Sequence, residues 1–158
     1  MKEWILIFTR DSIKEEVNAI IDHYQTNDVY KLCNRFCIKI QASDLGQAKG
    51  ILQYCYAQPL IHINPRVKNK NFCIAYMLGH FFFNFNPDQS VLFIKMNNPE
   101  TIVFATELVL TDEILFSQLS KISTISLKEI ASFFNLPIQA IKIKLDGISN
   151  NRIIFSCI

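Results

Sequence analysis

The sequence contains few of the residues that break or loosen a chain, with four glycines and five prolines among 158 residues. It has no low-complexity run either, which excludes a collagen-like chain, a long linker and a disordered segment. What it does contain is apolar, since 50% of the residues are hydrophobic and the mean hydropathy is +0.19. These values predict one ordinary globular domain.

An excess of either charge is also absent, because 16 basic residues face 14 acidic ones and the net charge is +2. This balance alone points neither to nucleic acid nor to an anionic membrane. The apolar run near the N-terminus, residues 4–8, is too short for a signal peptide or a membrane span. We therefore expect a cytoplasmic protein with no membrane partner.

The cysteines form no disulfide framework, since there are five of them without a framework spacing. Each lies among apolar neighbours, which predicts reduced, buried thiols. Cys33 and Cys37 are four residues apart, a spacing that can hold a metal, but no second Cys or His pair stands at a zinc-finger distance. We expect this pair to pack on a helix face.

Apolar periodicity predicts two helices in the first part of the chain, over 11–23 and over 28–36. Asp11 or Ser12 is expected to cap the first of them. Alternating patterns follow and are typical of a small antiparallel sheet. The three predicted strands lie at 37–42, 51–58 and 59–65.

The second half begins with an almost wholly apolar stretch, 70–85, which predicts a buried central helix. Residues 90–98 are a strand or an extended connection. Asn98 then has the position of an N-cap before Pro99, which predicts a helix over 99–110. Residues 126–148 predict a helix-turn-helix pair, with roughly nine residues in each helix.

Two segments in this half resemble one known family. Residues 75–80 read A-Y-M-L-G-H, and twenty residues beyond His80 comes E-T-I-V-F-A-T-E-L-V-L. The ImmA/IrrE family of zinc metallopeptidase-like proteins has A-H-E-L-G-H in a buried helix and E-A-N-x-F-A-x-E-L-L in a later one. The positions that match are Ala75, Leu78, Gly79, His80, Glu100, Phe104, Ala105, Glu107 and Leu108.

The resemblance covers roughly the whole chain, on pattern alone. It implies an α+β fold: a compact zincin-like domain in which a small antiparallel sheet packs on the buried helix. We expect this domain to span 1–120, with a helix-turn-helix-like subdomain at 121–158 packed on it as one unit.

The departures from the family pattern fall on residues that bind zinc and activate water in the family. An H-E-x-x-H helix needs two imidazoles, a glutamate as general base and a third ligand from elsewhere. By the resemblance, His80 is the second histidine and Glu100 the third ligand. Tyr76 replaces the first histidine, and a phenol with a pKa of about 10 gives up its proton reluctantly. Met77 replaces the base and cannot accept a proton.

The resemblance with these departures implies a pseudo-metallopeptidase, a cytoplasmic regulator that binds a protein partner without cutting it. That partner is a repressor or another regulatory protein, because active members of the family cleave or relieve helix-turn-helix repressors in stress responses and in mobile-element induction. No catalytic residue and no cofactor are expected, zinc being bound only if His80 and Glu100 keep a residual site. The binding surface cannot be identified from the sequence.

Two other functions stay open. A residual metallopeptidase would use His80, Glu100 and a further ligand such as Tyr76, with water activated by Glu107 or another acid. A DNA-binding regulator would act through residues 126–146. Direct readout of the DNA bases is not favoured there, because the second helix offers chiefly Gln139, Lys142 and Lys144.

Each of these residues also has a purely structural interpretation. His80 is then an ordinary buried histidine, and Glu100 is an acid favoured at a helix N-terminus. Glu107 is then an exposed helix residue, and Tyr76 and Met77 fill the core.

The other two histidines are not expected to be ligands. His62 alternates with apolar neighbours and should face solvent on its strand. His23 lies at a helix C-terminus, where it interacts with the helix end.

Overall fold

The structure, a computed structural model, describes residues 9–83, 86 and 88–151. The first helix, α1, spans Arg10–Tyr24 as predicted. Its cap is Thr9, whose hydroxyl accepts from the backbone N of Ser12 at 3.2 Å, so the prediction of Asp11 or Ser12 as cap was wrong. The helix buries one apolar face, formed by Ile13, Val17 and Ile20.

The second helix, α2, spans Val29–Arg35 and is capped by Asp28, which accepts from the backbone of Tyr30 and Lys31. Cys37 follows it with φ of 55°, in the left-handed region that favours glycine. The resembled family tends to place glycine at this position, and in this chain a cysteine adopts the left-handed conformation.

The sheet has four strands in the order β1-β3-β2-β4. A two-residue turn with positive φ at Tyr56 and Ala57 closes a hairpin of β2 and β3. The first strand lies on the far side of β3 and runs parallel to it, so the sheet is mixed and not wholly antiparallel as predicted. The strands are β1 (Lys39–Ala42), β2 (Gly50–Cys55), β3 (Gln58–Ile63) and β4 (Val91–Phe93).

The third helix, α3, spans Lys70–Phe83 and is the buried centre of the fold, as predicted. It packs on the sheet on one side and on α4, Pro99–Val109, on the other. The two helices approach closely at Gly79, where an added Cβ would lie 2.8 Å from Thr101 Cγ2. The predicted end of α3, at 84 and 85, lies outside the described residues.

Four helices complete the described fold, and two of them were not predicted. The missed ones are short, α5 (Asp112–Ser117) and α6 (Leu119–Ile122). The predicted pair is present as α7 (Leu127–Phe133), which begins with a capping box, and α8 (Ile138–Asn151), which is longer than predicted. The α+β fold is therefore confirmed, and none of the described helices is long and apolar enough to cross a membrane.

The cysteines divide into two kinds. Cys33 and Cys73 are buried, and burial raises the pKa of each thiol to about 12. Cys37 and Cys55 are exposed, so the prediction of buried thiols was wrong for these two. Cys157 lies outside the described residues.

Candidate functional site

The Tyr76 side chain joins α3 directly to the loop that enters α4. Its hydroxyl donates to Asn97 Oδ1 at 3.2 Å and accepts from the backbone N of Asn98 at 3.4 Å. The ring is buried, stacked on Phe93 at 4.2 Å and in edge contact with His80 at 4.9 Å. We call Tyr76, Asn97 and Asn98 the Tyr76 bridge.

The bridge ends at the residue that starts α4. Asn98 Oδ1 accepts from Thr101 N at 2.9 Å and from Thr101 Oγ1 at 2.8 Å, which is the predicted N-cap. Glu100 stands in the first turn and is half-buried. Within the described part of the chain it forms no hydrogen bond or ion pair, and it stands at a helix N-terminus, where acidic residues are favoured.

The other two residues of the motif are buried. Met77 is completely buried and reaches the sheet, because a Cβ added at Gly50 would lie 3.9 Å from Met77 Cγ. His80 is 8% exposed, and its burial lowers the pKa of the imidazole below the ordinary value. Near neutral pH His80 is therefore an uncharged ring at the end of the buried segment.

Glu107 lies in a different place from the one we predicted. It is 3% exposed, and Lys144 of α8, itself fully buried, donates to Glu107 Oε2 at 2.5 Å. The prediction of an exposed Glu107 was wrong, because both charges lie on the apolar faces of their helices and neutralise each other there. A sequence signal existed: Lys144 follows Ile141 by three residues on the buried stripe of α8.

Three more residues extend this pair into an ion cluster of five. Asp112 Oδ1 lies 2.7 Å from Lys144 Nζ, and Asp112 Oδ2 accepts from Lys14 at 2.5 Å. Arg10 Nη2 lies 3.5 Å from Glu107 Oε1. Burial alone would raise the pKa of Asp112, but the hydrogen bonds and charges of Lys14 and Lys144 hold that pKa below its usual value. The cluster ties together α1, α4, α5 and α8.

The guanidinium of Arg10 occupies the space that a side chain at position 147 would fill, and the glycine there leaves that space open. A Cβ added there would lie 1.7 Å from Arg10 Nη2, so the guanidinium rests on the bare backbone of α8. The same nitrogen donates to the backbone O of Lys144 at 3.4 Å.

A cavity of about 390 Å³ lies between the Tyr76 bridge and the ion cluster. Its wall includes Asn97 of the bridge, Arg10 of the cluster and aliphatic side chains of α4 and α8. We call it the α4–α8 pocket. It was not predicted, since only the fold brings the loop before α4 next to the start of α1.

The histidine and lysine candidates outside α3 and α4 lie away from the Tyr76 bridge. His62 is half-buried, between Ser43 Oγ at 2.9 Å and Gln53 Oε1 at 3.2 Å, away from α3 and α4. Lys144, one of the basic residues counted for DNA readout, is buried in the ion cluster, whereas Lys142 is exposed. Across the described residues, no three His, Cys, Asp or Glu side chains gather closely enough to hold a metal ion.

The mixed sheet packs on a buried helix that contains the Tyr-Met-x-x-His segment, and a second helix with an acid in its first turn lies beside it. This arrangement is consistent with an α+β zincin-like domain. Two comparisons with known proteins agree. The model of the IrrE N-terminal-like domain matches residues 33–146. The chain is also 39% identical over 160 residues to Metallopeptidase ImmA of Bacillus subtilis (strain 168), covering 94% of each chain. The chain belongs to the ImmA/IrrE family.

Proposed function

We propose that this chain is a non-catalytic member of its family, a regulator that binds a protein partner without cutting it. The observation that carries the proposal is the Tyr76 bridge. In a metallopeptidase of this class the metal connects the H-E-x-x-H helix to the helix that supplies the third ligand. Here the Tyr76 hydroxyl makes that connection itself, through Asn97 and Asn98.

The residues at the four family positions do not fit a zinc ion. Zinc binding would require Tyr76 as phenolate, yet its hydroxyl proton is committed to Asn97 Oδ1. Met77 points to the sheet and offers a thioether, which suits softer metals. That leaves His80 and Glu100, two ligands where a zinc site needs at least three.

A residual peptidase is also left without a general base. Met77 cannot accept a proton, and Glu107, the acid considered as its substitute, is buried and paired with Lys144 at 2.5 Å. A carboxylate in that position balances a buried charge and has no access to a substrate-bound water. We therefore derive no hydrolytic step for this chain.

The partner we propose is a repressor or another regulatory protein, in the cytoplasm, in the setting of a stress response or a mobile element. The support is the family membership together with the loss of its chemistry: a fold that recognises such a protein can keep the recognition when cleavage is gone. Binding alone then has to carry the regulatory effect.

The test compares the natural chain with the Tyr76→His/Met77→Glu variant, each purified without a metal-affinity tag and exposed to zinc. We expect near-zero zinc per chain by elemental mass spectrometry in the natural protein and no chelator-sensitive peptidase activity. The variant should gain zinc, because His80 and Glu100 are still in place. One tightly held zinc per natural chain would overturn the proposal.

A further inference from the structure

We propose that the α4–α8 pocket is where the partner docks, and that it takes an aliphatic side chain lying next to a carboxylate in a peptide segment of that partner. This inference rests on the proposed function, since it names the binding surface of a non-catalytic regulator.

The pocket has the size and walls for an aliphatic group. Its volume of about 390 Å³ is in the range of small-ligand sites. Ile102 and Val103 of α4 and Ile143 of α8 form its apolar part. Ile102 is 2% exposed and forms the floor, whereas the other two are half-buried and remain reachable.

The Tyr76 bridge determines which atom Asn97 presents to the pocket. The Tyr76 hydroxyl donates its one hydrogen to Asn97 Oδ1 and accepts from Asn98 N. The carboxamide therefore turns its oxygen towards Tyr76 and its NH₂ group away. Asn97 lines the pocket and is exposed, so the group available to a ligand there is a hydrogen-bond donor.

The ion cluster supplies a second donor, with a charge. Arg10 also lines the pocket, and its Nη2 donates to Glu107 Oε1 and to the backbone O of Lys144. Its seat on Gly147 fixes the guanidinium in position, which lowers the entropy lost on binding. The cluster holds three cations against two carboxylates, so its charge favours an anion.

These features together select the ligand. Two donors, one of them an arginine, beside an aliphatic floor match a carboxylate adjacent to an aliphatic side chain. Asp146 also lies on the wall and is exposed, so it sets a third carboxylate against the three cations and opposes the binding of an anion, and the two donors carry the selection. The direction of the affinity change at this residue tests the inference: Asp146→Asn should tighten the binding of an anion.

The experiment titrates N-acetyl-leucine into the full chain and follows the methyl resonances of Ile102, Val103 and Ile143 by NMR. The matched probe is N-acetyl-leucinamide, which has the same side chain and no carboxylate. We expect saturable shifts at these methyl groups, with the acid bound about tenfold more tightly than the amide. Asp146→Asn should tighten the acid about two- to threefold and leave the amide unchanged.

Equal affinity for the two probes, or no shift at these methyl groups, would overturn the inference. Asp146→Asn lies on the exposed rim, so its result does not depend on the stability of the core. The readout is also separate from the zinc content. A metal-free chain that does not bind the acid contradicts only the pocket, and a zinc-loaded chain contradicts the proposed function whatever the pocket does.

Discussion

The Tyr76 bridge and the ion cluster both tie α4 to another part of the chain with buried polar groups, but they do so by opposite means. At the N-terminal end of α4 the connection consists of hydrogen bonds from a tyrosine hydroxyl to a side-chain amide and from a backbone amide to that hydroxyl. Two turns later, Glu107 brings a full charge into the interior and meets Lys144 there.

The difference shows where charged side chains lie in the interior of this chain. Its family's catalytic positions hold Tyr76 and Met77, which ionise reluctantly or not at all, whereas the buried charges lie where they join helices. Neutral hydrogen bonds cost little to lose, but a buried ion deprived of its partner costs much more. The two regions should therefore respond very differently to similar substitutions.

The largest effect is expected in the ion cluster. Glu107→Ala leaves the buried Lys144 without its closest carboxylate and should lower the free energy of unfolding by about 3–5 kcal/mol. Urea unfolding followed by circular dichroism measures it. In the control, Glu107→Leu combined with Lys144→Met, most of the stability should return, because both charges are gone. A loss below about 1 kcal/mol for Glu107→Ala would mean that the pair is not buried as described.

A smaller effect is expected in the Tyr76 bridge. Tyr76→Phe keeps the ring on Phe93 but removes the acceptor of Asn98 N, which should cost about 1–2 kcal/mol. The matched control is Tyr30→Phe at a 46% exposed position, where the change should stay within about 0.5 kcal/mol. Equal losses of unfolding free energy in the two variants would show that the Tyr76 hydroxyl does not connect α3 to the start of α4.

Acid should separate the two regions by pH. The pKa of His80 is lowered in the folded state, so the unfolded chain binds a proton more readily, and stability falls as the pH drops below the ordinary value of 6.5. The pKa of Asp112 is lowered too, and its contribution is full above its ordinary 3.8 and lost below it. Urea midpoints between pH 8 and pH 3 should show two steps, and His80→Asn should remove the upper one.

The smallest effect is expected at the contact of Arg10 with Gly147. Gly147→Ala pushes the guanidinium aside and loses a partly exposed ion contact, worth up to about 1 kcal/mol. It also replaces glycine by alanine inside α8, which gains a similar amount. The net change in the unfolding free energy should stay within about 0.5 kcal/mol. A loss above 2 kcal/mol would show that Arg10 cannot move away.

Much of the fold could be predicted from local pattern, because the signals were local. The Asn98 cap with Pro99 and Glu100 fixed the start of α4, and the apolar run fixed α3 as the buried helix. The parallel pairing of β1 with β3 could not be predicted, since it depends on which edge of the later β2–β3 hairpin pairs with β1.

The site was only half predictable for a similar reason. The motif spacing pointed to Tyr76, Met77, His80 and Glu100, but not to the Asn97 amide that receives the Tyr76 hydroxyl. The pairing of Glu107 with Lys144 joins residues 37 positions apart, and Glu107 alone looks like an ordinary charged helix residue. Only Lys144, standing on an apolar stripe, carried a sign of it.

The most direct test of the account is the melting temperature measured in excess zinc and in excess EDTA. If the Tyr76 hydroxyl has taken over the connection between α3 and α4, the natural chain should melt at the same temperature in both. The Tyr76→His/Met77→Glu variant should instead melt several degrees higher in zinc, because a metal that binds the folded state stabilises it. A natural chain that melts several degrees lower in EDTA would contradict the account, since the connection would then be the metal.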